Sequence, residues 1–319
     1  MAKEKRFDVI VAGYAGYDLA VSPVPQNIMD VDTGTAPQRI ITVGGDGINA
    51  ATSFASLGCK TALCSAVGRD MFAKTVRNHL KEHNIDARYV FDVDAPTTFT
   101  LILVGEDGER HCLIRRGATE SICRDMVPAE AIENARHLHY ASFFPMTRLD
   151  PEAHLLLRQA KEAGLSTSMD AVTYHGDKDP LELLAPSLPY VDIFMPSFDD
   201  AALIFKTRDF DEMKRQMSRF GTKFFCVKCG ADGLLATDFG RDVHVPAMCR
   251  GAVVDTTGAG DSCAAGFAAA YLRGGDLAVC AAIASANAAF VVQSFGATTG
   301  CRPYEDVAAL AKSFGYDVP

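Results

Sequence analysis

Short runs of apolar and β-branched residues alternate along the chain with amphipathic stretches of about 10 to 15 residues. The runs at 8–12, 62–67, 138–141, 166–170, 193–195 and 224–228 read as strands. The segments 49–57, 71–83, 151–163, 198–205, 211–220, 259–272 and 277–292 read as helices. Strands and helices in this alternation build a mostly parallel sheet covered by helices on both faces, so the expected fold is α/β. Two stretches, 17–43 and 97–116, break the pattern with strand-like runs and turns that have no helical period between them. The second reads as a hairpin, TFTLILV and RHCLIRR about GEDGE, with Gly105 and Gly108 free to take positive φ. Together they predict a small separate sheet, placed as a lid over the carboxyl edge where open α/β sheets bind ligands. The expected division is a core of residues 1–16, 44–96 and 117–319 and a lid of 17–43 and 97–116, with no repeat or linker marking a second independent domain.

Composition narrows the function. Of 319 residues, 31 are Lys or Arg and 40 are Asp or Glu, a formal charge of -9 that argues against a nucleic-acid partner. The longest apolar stretch, 279–292, is interrupted by Ser285 and Asn287 and falls short of the roughly 18 residues that cross a bilayer, so no membrane partner is expected. The amino terminus MAKEKRFDVIVAG runs from a charged tail straight into a strand, and a cytoplasmic location is expected. Ten cysteines without framework spacing fit a reducing compartment. Cys226 and Cys229 have CxxC spacing but no second pair, and read as structural. His137 and His139 would share a strand face, with no third metal ligand at a telling distance.

Two glycine-rich clusters carry the chemistry. In VVDTTGAGDSCAAGFAAAYLRGG, the turn Gly258-Ala259-Gly260 opens an Ala-rich helix, so unpaired N–H groups and the positive end of the helix dipole face whatever lies beyond its first turn. Asp261 lies in that turn, where a carboxylate could take a proton from a hydroxyl, an arrangement suited to phosphoryl transfer. The same spacing also fits a plain helix cap with close-packing glycines. A dinucleotide fingerprint fails on the third glycine, and no GxxxxGK[ST] occurs. In ITVGGDGINAATSFASLG, Gly44, Gly45 and Gly47 allow close backbone approach, while Asp46 and Asn49 offer partners for hydroxyls or, alternatively, a turn and an Asx cap.

In this order and at these ends of the chain, the clusters resemble the signatures of the ribokinase-like family, the phosphofructokinase-B type carbohydrate kinases. GGDGINAATSFASLG followed by LCSAVGRDMFA is similar to the amino-terminal signature, and DTTGAGDSCAAGF to the highly specific carboxyl-terminal one. The resemblance runs from VAGYAGYD to GATTG. It implies a three-layer α/β/α sandwich with a β-sheet lid that in many members is also a dimer surface. It implies Asp261 as general base, the Gly258, Ala259 and Gly260 amides as anion hole, and Asp18, Gly45, Asp46 and Asn49 as sugar contacts. Lys228, Gly230 and Gly233 of KCGADG would border the ATP, with Ser197 and Ser285 also on the nucleotide side. Asp200 would serve Mg²⁺, while Asp255, Thr257 and Gly296 would serve a monovalent cation such as K⁺.

Several positions depart from the family pattern. Its Asn-x-x-Glu stands here as Ser197 and Asp200, its Asp-x-Asn-x-Arg is reduced to Asp170 with Val172 and Tyr174, and a common Asn is Ser285. Ser142-Phe143-Phe144 lacks the acidic sugar contact of ribokinase, which moves the expectation away from ribose. Arg115 and Arg116 close the lid hairpin, and strand alternation turns one of them, taken as Arg115, toward the substrate to meet a carboxylate or phosphate. The expected reaction is ATP-dependent phosphorylation of a sugar or a sugar acid of the 2-keto-3-deoxygluconate or fructose type. A nucleoside kinase of the same fold and a catalytically silent sugar-binding sensor are the rivals.

Overall fold

In the computed structural model, which describes residues 5–105 and 110–318, the apolar runs become the strands of one large sheet. In chain order the elements are β1 (Phe7–Ala12), β2 (Gly16–Val24), β3 (Gln38–Gly44), α1 (Asp46–Ser56), β4 (Thr61–Val67), α2 (Met71–Glu82), β5 (Asp86–Asp92), β6 (Thr98–Gly105) and β7 (Arg110–Arg115). There follow α3 (Ala129–Glu133), β8 (Ala135–Phe143), α4 (Ala153–Glu162), β9 (Ser166–Ala171), α5 (Pro180–Leu184), β10 (Ile193–Phe194), α6 (Phe198–Phe205), α7 (Phe210–Met217) and β11 (Phe224–Lys228). The chain ends with β12 (Leu234–Thr237), β13 (Asp242–Val245), α8 (Ala259–Leu272), α9 (Leu277–Val291) and α10 (Tyr304–Ser313).

The large sheet has the order β13-β12-β11-β10-β9-β8-β1-β4-β5. It is parallel from β5 to β11, and β12 and β13 extend it antiparallel. A strand covered on both faces has no polar side, which is why TALCSAV of β4 is buried at every position. Val9 and Val11 of β1 enter the cluster beneath α1, α2, α8, α9 and α10, while Ile10 enters the opposite one beneath α3 to α7. Helices α8 and α9 are built largely from Ala, so their axes approach closely, and a Cβ on Gly266 would meet Ala284 Cα at 3.0 Å.

The second sheet has the order β3-β2-β6-β7, with β2 parallel to β6 and the other pairs antiparallel. The GEDGE turn, including Gly108, lies outside the described residues apart from Gly105. Tyr17 is level with Phe99 and Phe99 with Arg115, so these three share one face; Asp18, Thr100 and Ile114 share the other. Tyr17 and Phe99 stack against Phe72 of α2, with ring centroids 4.5 Å and 5.8 Å from it, which fixes how the small sheet sits on the core. The Asp18 face therefore turns toward Asp46 and Asp255, whose charges Asp18 feels.

Candidate active site

Close backbone packing brings α1 over the turn after β1. Gly47 is pressed against Gly13, and a Cβ on Gly44 would fall on the Asp18 carboxylate, so Gly44 is the residue that gives this side chain its room. Asp18, Asp46 and Asn49 then converge with Asp261 from α8. Asn49 Nδ2 donates to Asp261 Oδ2 at 2.9 Å, and the Tyr14 hydroxyl donates to Asp46 Oδ1 at 3.3 Å. Among the described residues Asn49 Oδ1 is buried with no hydrogen-bond partner, and Asp46 Oδ2 and the Ser142 hydroxyl are buried beside each other with no further partner. Buried acceptors left open in this way cost stability unless a ligand's hydroxyls fill them.

The electrostatics follow from crowding carboxylates away from water. Burial, then the neighbouring Asp46 charge, pushes Asp261 well above the ordinary carboxylate range, although Asn49 and Lys228 pull the other way. A carboxylate held high is a stronger proton acceptor. Burial raises Asp18 to about 6 against the Thr100 hydroxyl, with Asp46 and Asp255 adding to the rise. Burial also lifts the Tyr14 phenol, which stays protonated and able to donate to Asp46.

Helix α8 starts at Gly258, whose φ of 76° is the left-handed region, and a Cβ there would run into the Ala297 carbonyl. Its first-turn amides open onto a cavity of about 550 Å³ lined by Lys228, Gly230, Gly233, Ala259, Gly260 and Ser285. Leu234, Met248, Val253 and Val292 give that cavity an apolar wall of the kind that takes a flat ring. Ser285 Oγ donates to the Pro246 carbonyl at 2.7 Å. Lys228 Nζ lies 3.2 Å from where a Gly260 Cβ would be, and is ion-paired with Asp170. Burial alone would lower this lysine, but the Asp170 carboxylate outweighs it; Asp170 itself is raised by burial to about 6, so both are charged at neutral pH.

The remaining predicted residues fall into two further groups. Ser197 caps α6, its Oγ 2.5 Å from Asp200 Oδ2, and it bridges to Lys228 at the end of β11. Asp255 accepts from the Thr257 amide and hydroxyl at 2.9 Å and 2.7 Å and from the Gly296 amide at 3.0 Å, tying the loop before α8 to the loop after α9. Among the described residues no group of three or more His, Cys, Asp or Glu is placed to hold a metal. One first-turn carboxylate, Asp200, suits Mg²⁺, which keeps several waters and takes its other ligands from phosphate. Cys226 is in the core, while His137 and His139 share the Ser168 hydroxyl at 2.7 Å each.

Arg115 does not join this assembly. The register puts it on the Tyr17 and Phe99 face, opposite Asp18, because β7 ends one residue out of phase with the orientation assumed for it. One residue escaped the sequence reading: Tyr14, next to GYD, had no spacing partner. Asn287, which lies behind the site, donates to Ser53 Oγ and the Ser262 carbonyl at 2.8 Å and 2.7 Å and so locks α1, α8 and α9 together.

A carboxylate between a cluster of open hydroxyl acceptors and a nucleotide-sized cavity is the site of an enzyme that moves a phosphoryl group to an alcohol. Residues 8–304 match the family described as pfkB family carbohydrate kinase, and the chain belongs to it. It is 32% identical over 313 residues, 97% of this chain and 99% of the relative, to an ATP-dependent ribose-1-phosphate kinase of Halopiger xanaduensis. It is 27% identical to a nucleoside kinase of Methanothermobacter thermautotrophicus, covering 98% of both chains. The structure of Arabidopsis thaliana ribokinase complexed with ribose and ATP superposes with a TM-score of 0.80 at 25% identity, over 97% of this chain and 99% of that one. The protein is thus a ribokinase-like phosphotransferase with a hydroxyl acceptor, a kinase of the sugar and nucleoside class.

Proposed function

We propose that the protein transfers the γ-phosphoryl group of ATP to a hydroxyl of a small carbohydrate held by Asp18, Asp46 and Asn49. The observation that carries this reading is the position of Asp261, 2.9 Å from Asn49 on one side and in the first turn of α8 on the other. Asp261 takes the proton of the attacking hydroxyl, and its raised affinity for protons suits that step. The first-turn amides of α8, at Gly258, Ala259 and Gly260, receive the oxygens of the group in transit, and the buried Lys228 adds a fixed positive charge beside them. Mg²⁺, bound with the nucleotide, would supply charge that neutralises the phosphates, and Asp200 and Ser197 are the residues that would hold it. A monovalent cation at the Asp255, Thr257 and Gly296 junction would order the two loops that frame the anion hole.

The small sheet closes over the sugar as a lid and excludes water that would otherwise accept the phosphoryl group. Its outer face exposes Ile41 and Leu113, at 49% and 63%, which supports a homodimer formed through the lid. The scattered cysteines agree with a cytoplasmic location. The test is ADP release, coupled to a spectrophotometric readout, across sugars, sugar acids, sugar phosphates and nucleosides. The reading expects turnover with a carbohydrate; turnover with nucleosides alone, or none above ATP hydrolysis, overturns it.

A further inference from the structure

We propose that Asn287 is a positioning residue for Asp261: by bonding α1 and α8 at once, one helical turn behind the site, it sets the distance at which Asn49 meets the base. The proposal rests on the kinase reading and adds to it a residue that is itself buried in the core.

Helix α9 is made mainly of small and apolar residues, and Asn287 is a polar side chain in its middle, only 1% exposed. Its Nδ2 donates to Ser53 Oγ of α1 at 2.8 Å and to the Ser262 carbonyl of α8 at 2.7 Å. A carbonyl only accepts, so the amide nitrogen and not its oxygen faces α8. Among the described residues Asn287 Oδ1 is buried with no hydrogen-bond partner. An apolar residue would strand no such atom, so stability alone does not call for asparagine here. Room for it is built in: a Cβ on Gly266, one turn after Ser262, would lie 3.1 Å from Asn287 Cβ. Alanine faces packed together offer little resistance to one helix sliding along another, whereas two hydrogen bonds hold at one setting only.

Both anchors are in phase with the site. Ser53 lies four residues after Asn49, on the same face of α1, and Ser262 directly follows Asp261. Asn49 Nδ2 donates to Asp261 Oδ2 at 2.9 Å, so the Asn287 clamp and this contact are two rungs between the same pair of helices. The start of that turn is held from the same side, since the Ala297 carbonyl, in the loop after α9, stands where a Gly258 Cβ would be. Asp261 is thus bracketed, at Gly258 and at Ser262, by α9 and its loop. A slide of about 1 Å between α1 and α8 would take the Asn49 bond out of hydrogen-bonding range. The loss would alter the base as well as its place. Burial and the charges of Asp46 and Asp170 raise Asp261, against which the Asn49 amide and Lys228 pull it down. Tyr14, which also feels the Asp261 charge, stays neutral. Without the amide, Asp261 keeps its proton to higher pH.

The test is Asn287→Ala, which adds one more alanine to an alanine-rich helix and removes both bonds, alone and combined with Asn49→Ala. Ser53→Ala is a milder cut at one anchor. Melting curves check folding, and kcat and KM are followed against pH with the best acceptor. The titration of Asp261 is read directly from carboxyl carbon NMR shifts, assigned by the signal missing in Asp261→Asn. The proposal expects kcat to fall roughly 10-fold or more in Asn287→Ala. It expects the Asp261 titration, and the acid limb of kcat with it, to move to higher pH by about half a unit or more. Ser53→Ala should shift both in the same direction. In the Asn49→Ala background, Asn287→Ala should move the titration no further, because the contact it positions is already gone. An unmoved titration in folded Asn287→Ala overturns the proposal whatever kcat does. So does a shift as large in the Asn49→Ala background as without it, which would mark a structural effect that bypasses the contact. If Asn287→Ala does not fold, Ser53→Ala decides on the same readouts. If no acceptor is phosphorylated, the kinase reading fails, and the Asp261 titration alone decides whether the clamp stands.

Discussion

Asp18, proposed as a substrate contact, is a buried carboxylate whose binding role would come at the expense of stability. Its proton is held to about 6, against an ordinary value of 3.8, chiefly by burial. As pH falls through 6 the group protonates and stops accepting from a substrate hydroxyl, so kcat/KM should decline on that limb, and the decline attributable to Asp18 should vanish in Asp18→Asn. The stability sign is opposite. A raised folded value means that ionising the group at neutral pH strains the fold, so Asp18→Asn should melt higher at pH 7.5 while its KM rises roughly 10-fold or more. Melting curves and initial rates on one preparation check both halves. At this scale the sequence was informative where glycines announce a close approach: Gly44, Gly45 and Gly258 mark real backbone constraints. It was silent on Tyr14, which stands alone in a turn. It misled at Arg115, because alternation tells that strand neighbours point apart but not which one points inward at a strand's last residue.

Among elements, the start of α8 is tightly constrained. Gly258 has positive φ and no room for a Cβ, so Gly258→Ala should cost about 1–3 kcal/mol and disturb the anion hole together with it, lowering both melting temperature and kcat. A variant with wild-type melting and turnover would show that the turn tolerates another geometry. Strand β8 carries a different load. His137 and His139 are pushed down to about 3 by burial and stay neutral in the fold, whereas the unfolded chain protonates them near 6.5. The stability they lend is complete above 6.5 and is lost as pH falls toward 3, at about 1.4 kcal/mol per pH unit for each. Denaturant titrations of His137→Gln at about pH 6 and pH 4 should show a shallower acid loss than the wild type. The periodic helices and continuous apolar strands were legible in the chain, α6 and α8 to the residue. Strands β5 and β13 were not, because DARYVFD and DVHV mix charged and apolar positions as exposed edges do, and β12, LLAT, is only four residues long. Helices α3, α5 and α10 were overlooked as well.

For the molecule as a whole, two sheets divide the work. The large one supplies a carboxyl edge, to which α1 brings Asp46 and Asn49 and α8 brings Asp261, the proposed base. The small one brings Asp18 from above and is anchored by the Tyr17, Phe72 and Phe99 rings rather than by strand pairing with the core. The break in strand and helix alternation foretold the separate sheet; its orientation, and so which side of β7 faces the site, depends on tertiary packing that no local pattern records. The claim on which all of this turns is that Asp261 removes the acceptor's proton. Rates of ADP formation with the best acceptor from the panel, measured for wild type and Asp261→Asn with matching melting curves, test it most directly. The account predicts a loss of about 10² to 10⁴ in kcat with the acceptor's KM little changed. Turnover within a few-fold of wild type in a folded Asp261→Asn protein would contradict it.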